Sequence, residues 1–385
     1  MRRILVPILL VWACLLQVAW CQQPTIWAQF HRYNMQRYNP FEKVIGVNNV
    51  GNLKLKWSFT LDDWATGSPV VAGGVVYTGS ADGVLYAVKA SDGTLLGRYR
   101  TASGGQNNAT PAVANGAVYF GSVDGQLYAL NAHNGAKLWT YQTGGPIDSP
   151  VTVMNGVVFV GSDDGAVYAL DASSGTLLWS YLTGGQVTCA PAVENATVYF
   201  GSHDGNVYAL NASTGTKLWS YYVGGNYEYG QAASPAVANG VVYVVAGDTD
   251  MVYALNASTG AYIWSHNIGA GYIPGSTPAI AYDVVYVGSG NGNLYALNAT
   301  TGATLWTYGT GNTVKASPAV ANGVVYAGTN NWFFFALDAK NGAPLWTWGT
   351  HYSAYPSPVI ANGVLYLEDT GTYGLPATVY AFGLE

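Results

Sequence analysis

Charged side chains make up only 9% of the 385 residues, against about a quarter in an ordinary soluble protein. The few basic groups, 14 Lys and Arg against 20 Asp and Glu for a net charge of −6, argue against a nucleic-acid partner, which calls for a basic patch. Cysteine is nearly absent too, with three in all. The five histidines, His31, His133, His203, His266 and His351, lie too far apart for metal-ligand spacing. Neither a Cys-x-x-Cys-His haem motif nor a Gly-x-Ser-x-Gly elbow occurs. What is abundant is Gly (49) and Tyr (30), an all-β composition with Gly for turns and aromatics for half-buried strands.

Met1-Arg2-Arg3 followed by the apolar run Ile4–Trp20 reads as a secretory signal over residues 1–21, too short for a comfortable transmembrane span. Cleavage after Cys21, lipidation of Cys21 and an uncleaved anchor are the alternatives, and the last two are the expected routes to a membrane. Removal of residues 1–21 leaves Cys189 alone, so no disulfide framework forms within one mature chain. Cys189 is expected as a small buried apolar residue.

The rest of the chain is organised around one unit, seen in Ala209–Trp219 as Ala-Leu-Asn-Ala-Ser-Thr-Gly-Thr-Lys-Leu-Trp. Copies ending at Trp139, Trp179, Trp264, Trp306 and Trp346 keep Ala first, Asn or Asp third, Gly seventh and Trp eleventh. The flanks are β-prone, and Asn-x-x-x-Gly supplies turn chemistry, so the unit predicts two antiparallel strands around a tight connection. Each Trp is the expected packing element of its unit, burying roughly 150–250 Å².

Prolines after a small residue recur at 69, 111, 150, 191, 235, 278, 318 and 358, spaced 39 to 44 residues apart, the length of a propeller blade. Each opens two short strands joined by a turn such as Asn322-Gly323. A second hairpin follows, written as Asp82-Gly83, Asp124-Gly125, Asp164-Gly165, Asp204-Gly205 and Asn291-Gly292, dipeptides suited to a two-residue type I′ turn. The last repeat ends at Glu385 without its Trp strand, while Leu53–Phe59 with Trp57 precedes the first Pro. The expectation is an all-β, eight-bladed propeller of four-stranded antiparallel blades over residues 53–385, closed by that N-terminal strand. Residues 22–52 are a lead-in. Trp57, Trp139, Trp179, Trp219, Trp264, Trp306 and Trp346 are the structural docking residues. Gly97 fills the remaining Trp slot, which predicts that the first blade packs least well.

The Ala-x-Asn/Asp-x-x-x-Gly-x-x-x-Trp unit around eight repeats resembles the tryptophan-docking motif of the quinoprotein alcohol dehydrogenase-like, or PQQ-repeat, propellers. Size, blade number and secretory start are also similar to the propellers of outer-membrane β-barrel assembly, and Trp27-Ala28-Gln29-Phe30-His31 resembles their aromatic lead-in. The resemblance implies the fold, and either of two functions on it. One is a non-catalytic scaffold, secreted or envelope-associated and monomeric, binding a protein or glycan partner, with a role in outer-membrane protein assembly and no cofactor. The alternative is a dehydrogenase carrying PQQ and calcium, although the adjacent Cys pair many such enzymes hold against the cofactor is absent here.

Strand order places the short, uniform turns on one face, and the second hairpins and blade-to-blade connections on the other. This variable face carries acidic and aromatic residues, and Lys315 as its only expected cation. The candidate partner-binding residues are Asp62, Asp63, Trp64, Tyr227, Glu228, Tyr229, Trp332, Tyr352, Glu368, Asp369 and Tyr373. An acidic, aromatic rim suits a basic segment or a stacked sugar. Equally, the Asp-Gly residues serve as turn formers and the remaining charges as solubilising groups.

Overall fold

Valine, tyrosine and phenylalanine concentrate in the second and third strands of every repeat, and in the computed structural model these strands are almost wholly buried. The structure describes residues 27–32, 35–65, 67–101, 109–224, 233–247, 249–269, 276–372 and 375–385. Its strands form eight antiparallel blades in chain order. Blade 4 is typical, running Ala192–Glu194, Thr197–Gly201, Asn206–Asn211 and Lys217–Tyr222 from axis to rim. Blade 8 takes its outer strand from the other end of the chain: Lys54–Thr60 pairs antiparallel with Thr378–Gly383. The ring thus closes as the sequence predicts.

The docking tryptophans join blade to blade. Trp219 Nε1 donates to the Ala257 carbonyl of blade 5 at 2.9 Å. Its ring lies flat over Gly260, where a Cβ would come within 2.7 Å of it. Trp57, Trp139, Trp179, Trp264 and Trp306 make the same bond to Ala90, Ala172, Ala212, Ala299 and Ala339. Trp346 instead packs edge-on against Phe382 at 5.2 Å.

One turn assignment needs correcting. The Asp-Gly hairpins are not type I′, because only the Gly has positive φ, as at Gly83 (79°). Gly83 N donates to the Ser80 carbonyl and Ser80 N to Val84, which makes a three-residue loop with a left-handed Gly at its end. Two consecutive positive φ values occur instead at the first hairpin, in Asn115-Gly116, Asn322-Gly323 and also Asn195-Ala196 and Tyr282-Asp283.

The innermost strands would leave backbone groups unpaired along the axis, and the lead-in supplies the partners. It winds once around the axis in blade order. Val71 N donates to the Trp27 carbonyl, Val113 N to Ala28, Val237 N to Met35, Ile280 N to Gln36 and Val320 N to Arg37. Val153 N donates to Gln29 Oε1, and Tyr38–Asn39 runs parallel to Val320–Ala321. Blade 8 is reached by Asn39 Nδ2, which donates to the Ile360 carbonyl, and by Glu42 Oε2, which accepts from Gly363 N. The axis is therefore filled by the chain itself.

A second belt lies at the residue before each repeat proline. Ser68 N donates to Thr110 Oγ1, Ser357 N to Ser68 Oγ, Ser317 N to Ser357 Oγ, Thr277 N to Ser317 Oγ and Ala190 N to Ser234 Oγ, at 2.8 to 3.1 Å. These hydroxyls satisfy amides that the proline-opened strands bury between blades.

Candidate functional site

The second hairpins and the blade-to-blade connections share one face because antiparallel strands return to the same side every second turn. Where blade 8 meets blade 1, the segments around Asp63 and Thr370 are hydrogen-bonded. Leu61 N donates to the Ala377 carbonyl, Ala65 N to Thr370 and Ala377 N to Asp63. Asp62 is exposed and paired with Arg98, Nη1 to Oδ2 at 2.5 Å. Asp63 Oδ1 accepts from Trp64 N at 2.8 Å, and both side chains are half-buried.

Glu368 and Asp369 do not belong to an exposed rim. Both have 0% exposure. Thr78 Oγ1 lies 2.8 and 3.0 Å from the two carboxyl oxygens of Glu368. Asp369 accepts from Thr378 N at 2.8 Å and Tyr380 Oη at 2.9 Å. Burial holds both carboxyls above the usual carboxylate range, and the Thr78 hydrogen bond offsets only part of this for Glu368.

The face is also less one-sided in charge than the sequence suggests, for Lys315 is not its only cation. Arg98 and Arg100, at the end of the outer strand of blade 1, reach over to Asp62 and Asp82. The hairpin aspartates act as turn and clamp residues. Asp164 and Asp204 each accept from a tyrosine hydroxyl, Tyr168 or Tyr208, and from the backbone of the preceding connection at Gly144 or Gly184. Burial, then Asp148 and Asp164, push Asp163 up to about 6.

A second cluster lies on blade 7 and its exit. Trp332 is 55% exposed and sits at φ 73°. Thr350 Oγ1 donates to the carbonyls of Trp332 and Tyr352, bringing these two candidates together. Behind them Lys315 Nζ lies 4.4 Å over the Tyr355 ring, and burial lowers its pKa. Tyr227, Glu228, Tyr229 and Tyr373 lie outside the described residues.

Beneath this face the axis holds His31 and Arg37, both fully buried. Arg37 donates to the carbonyls of Pro318, Phe30 and Pro358, and lies 4.6 Å over the Phe30 ring. Its pKa falls to about 9 through burial. His31 Nε2 lies 3.4 Å from the Ala190 carbonyl, and burial, then Arg37, lower its pKa to about 3. Cys189 is buried against Gly201, and burial pushes its thiol up to about 12.

Calcium takes 6–8 oxygen ligands, and a quinone needs an open slot. Among the described residues no three His, Cys, Asp or Glu side chains converge, and the axis is occupied by residues 27–32 and 35–42. These residues do not fit a calcium–quinone pair.

Similar proteins of both kinds are found. The quinohemoprotein alcohol dehydrogenase ADH-IIG of Pseudomonas putida is 40% identical over 81 residues, 20% of this chain and 11% of that protein. The matched stretch thus spans about a tenth of that relative. The solved structure of ADHIIG from Pseudomonas putida HK5 superposes with a TM-score of 0.81 at 18% identity, covering 96% of this chain and 81% of that one. BamB from Moraxella catarrhalis superposes with a TM-score of 0.70 at 21% identity, covering 86% and 98%. At such identities the superpositions show the fold alone. The family described as outer membrane protein assembly factor BamB matches residues 42–148, 143–273 and 248–382, which is most of the chain. The protein therefore belongs to that family of PQQ-repeat propellers.

Proposed function

We propose that the protein is a non-catalytic propeller scaffold of the cell envelope that holds a protein partner on its loop face. The observation that carries this reading is the filled axis: with residues 27–32 and 35–42 in the centre, recognition falls to the loops. There Trp332 stands in solvent, and Trp64, Asp63 and Tyr352 are partly exposed. The chemistry that fits is a protein segment offering apolar groups to the two indoles and a basic group to Asp63. The family's description supports a role in outer-membrane protein assembly and an extracytoplasmic location. Cross-linking pull-down from the native host with wild type and the Trp332→Ala, Asp63→Lys double variant is the test. One protein captured by wild type and lost with the variant supports the reading. Equal capture by both rejects this surface, and capture of glycan alone rejects a protein partner.

The dehydrogenase reading is favoured by one observation, the 40% identity over 81 residues to a quinohemoprotein enzyme. Purified protein incubated with PQQ and calcium, then desalted, decides it. Retained quinone absorbance at one equivalent would overturn the non-catalytic reading.

A further inference from the structure

The fifth residue of each blade's second strand stands at a fixed repeat position beside the next connection. Blades 1, 2, 3, 4, 6 and 7 have Gly79, Gly121, Gly161, Gly201, Gly288 and Gly328 there, and blade 5 has Val245. The glycines of blades 3, 6 and 7 lie so close to Val187, Val314 and Ala354 in the following connection that a Cβ would collide. Blade 8 alone places a carboxyl at this position, Glu368. Its partner is a second departure from the repeat. Thr78 of blade 1 occupies the place of Phe120, Val160, Phe200, Val244, Val287, Ala327 and Leu367, all apolar.

The backbone is altered to match. In blades 2, 3, 6 and 7 the connection donates to the residue just after the glycine, through Ile147 to Ser122, Val187 to Ser162, Val314 to Ser289 and Ala354 to Thr329. At the closure Ala65 donates instead to Thr370, one residue further on. That shift leaves room for the Glu368 side chain to cross to Thr78.

We propose that the seam closing the ring is latched by a protonated Glu368 hydrogen-bonded to Thr78, and that ionisation of this carboxyl loosens blade 8 from blade 1. Glu368 has no exposure, and none of the salt bridges among the described residues involves it. Asp369 is the charged neighbour that acts on Glu368; Tyr380 and His351 act in turn on Asp369, and Tyr86, bonded to Asp62 N, stands across the strand from Thr78. Asp369 opposes a second negative charge. A protonated carboxyl uses both contacts, one oxygen accepting from the Thr78 hydroxyl and the other donating to it. An ionised one is a buried charge without a counter-ion. Because the group favours its proton in the folded state, the latch is intact at acid pH and is lost as pH rises through the raised value.

The test is amide exchange on the full chain as pH is raised from the acid to the alkaline limit of the folded state, corrected for intrinsic rates. The seam amides of Leu61, Ala65 and Ala377 are compared with Ile147 and Val187. Wild type should lose protection at the seam by about tenfold relative to the reference amides. Glu368→Gln, which keeps the hydrogen bond without the charge, should show no such loss. The same pH dependence in both proteins would overturn the latch. If the variant does not fold, infrared spectroscopy of wild type decides. A protonated carboxyl band that persists above the ordinary carboxylate range and fades as the seam opens supports the latch, and its disappearance within that range rejects it.

Discussion

Gly97 and Gly135 form the one inter-blade joint that lacks its lid. Gly135 has open space above it, whereas Gly175 one blade later lies beneath Trp139. The cause is Gly97, which stands at the docking position of blade 1 and itself has nothing within 4 Å. Among the described residues the Ala132 carbonyl accepts a side-chain bond from Tyr77 Oη alone, at 3.1 Å, while Ala172 accepts from both Tyr119 and Trp139. Gly97→Trp should therefore cover Gly135 and complete the second hydrogen bond. The expected gain is about 1–3 kcal/mol, read from the denaturation midpoint. A loss of stability would mean the groove over Gly135 is closed.

The remaining joints should be worth unequal amounts. Trp219→Ala removes a buried ring and a bond to Ala257, at a cost of about 3–5 kcal/mol. Trp346 is half-buried and rests on Phe382, and among the described residues it has no carbonyl partner of the repeat kind. Trp346→Ala should cost less than half as much. Equal losses in urea melts of the two variants would show that the carbonyl bond and the glycine contact add nothing.

The joints, the blade count and the closing strand were legible because each repeats with a fixed spacing and a distinctive side chain. Two other parts were not. The lead-in binds all the way round through carbonyls and a few side-chain amides, so Trp27–Asn39 carries no periodic pattern that reveals its path. Glu368 and Asp369 read as rim acids because they border a variable loop. Their burial depends on the one-residue shift at Thr370, which no local residue signals. Arg98 and Arg100 close an outer strand, and no residue type there signals that their side chains reach the loop face. The Ser/Thr-Pro belt was written plainly, and its hydroxyls needed only to be read as donors' partners.

Ala196 offers a test of turn chemistry. It is exposed, at φ 61°, in the first hairpin of blade 4, where Gly116, Gly156 and Gly240 stand in the neighbouring blades. A left-handed alanine costs roughly 1–2 kcal/mol, and glycine returns part of this as unfolded-state entropy. Ala196→Gly should therefore stabilise by about 0.5–1 kcal/mol, and Gly156→Ala should destabilise by a similar amount. Thermal melts of both variants check the pair, and destabilisation by Ala196→Gly would contradict the strain.

His31 sets the acid limit of the fold. Its ring is buried at the axis beside Arg37, and Nδ1 has no partner among the described residues. Burial, and then the Arg37 charge, lower its pKa from 6.5 to about 3, with the Ala190 carbonyl acting weakly the other way. Between those values the unfolded chain binds a proton that the folded chain refuses. Stability from this group is thus complete above about pH 6.5 and falls as pH drops towards 3. The full loss is on the order of 5 kcal/mol. His31→Gln keeps a donor for Ala190 but cannot titrate, so it should flatten the denaturation midpoint between pH 6 and 4 relative to wild type. Glu368 has the opposite sign, its stabilisation falling as pH rises, and it remains in both proteins, so it cancels in the comparison. Parallel pH profiles for His31→Gln and wild type would show that His31 is protonated in place, with Nδ1 donating to a partner.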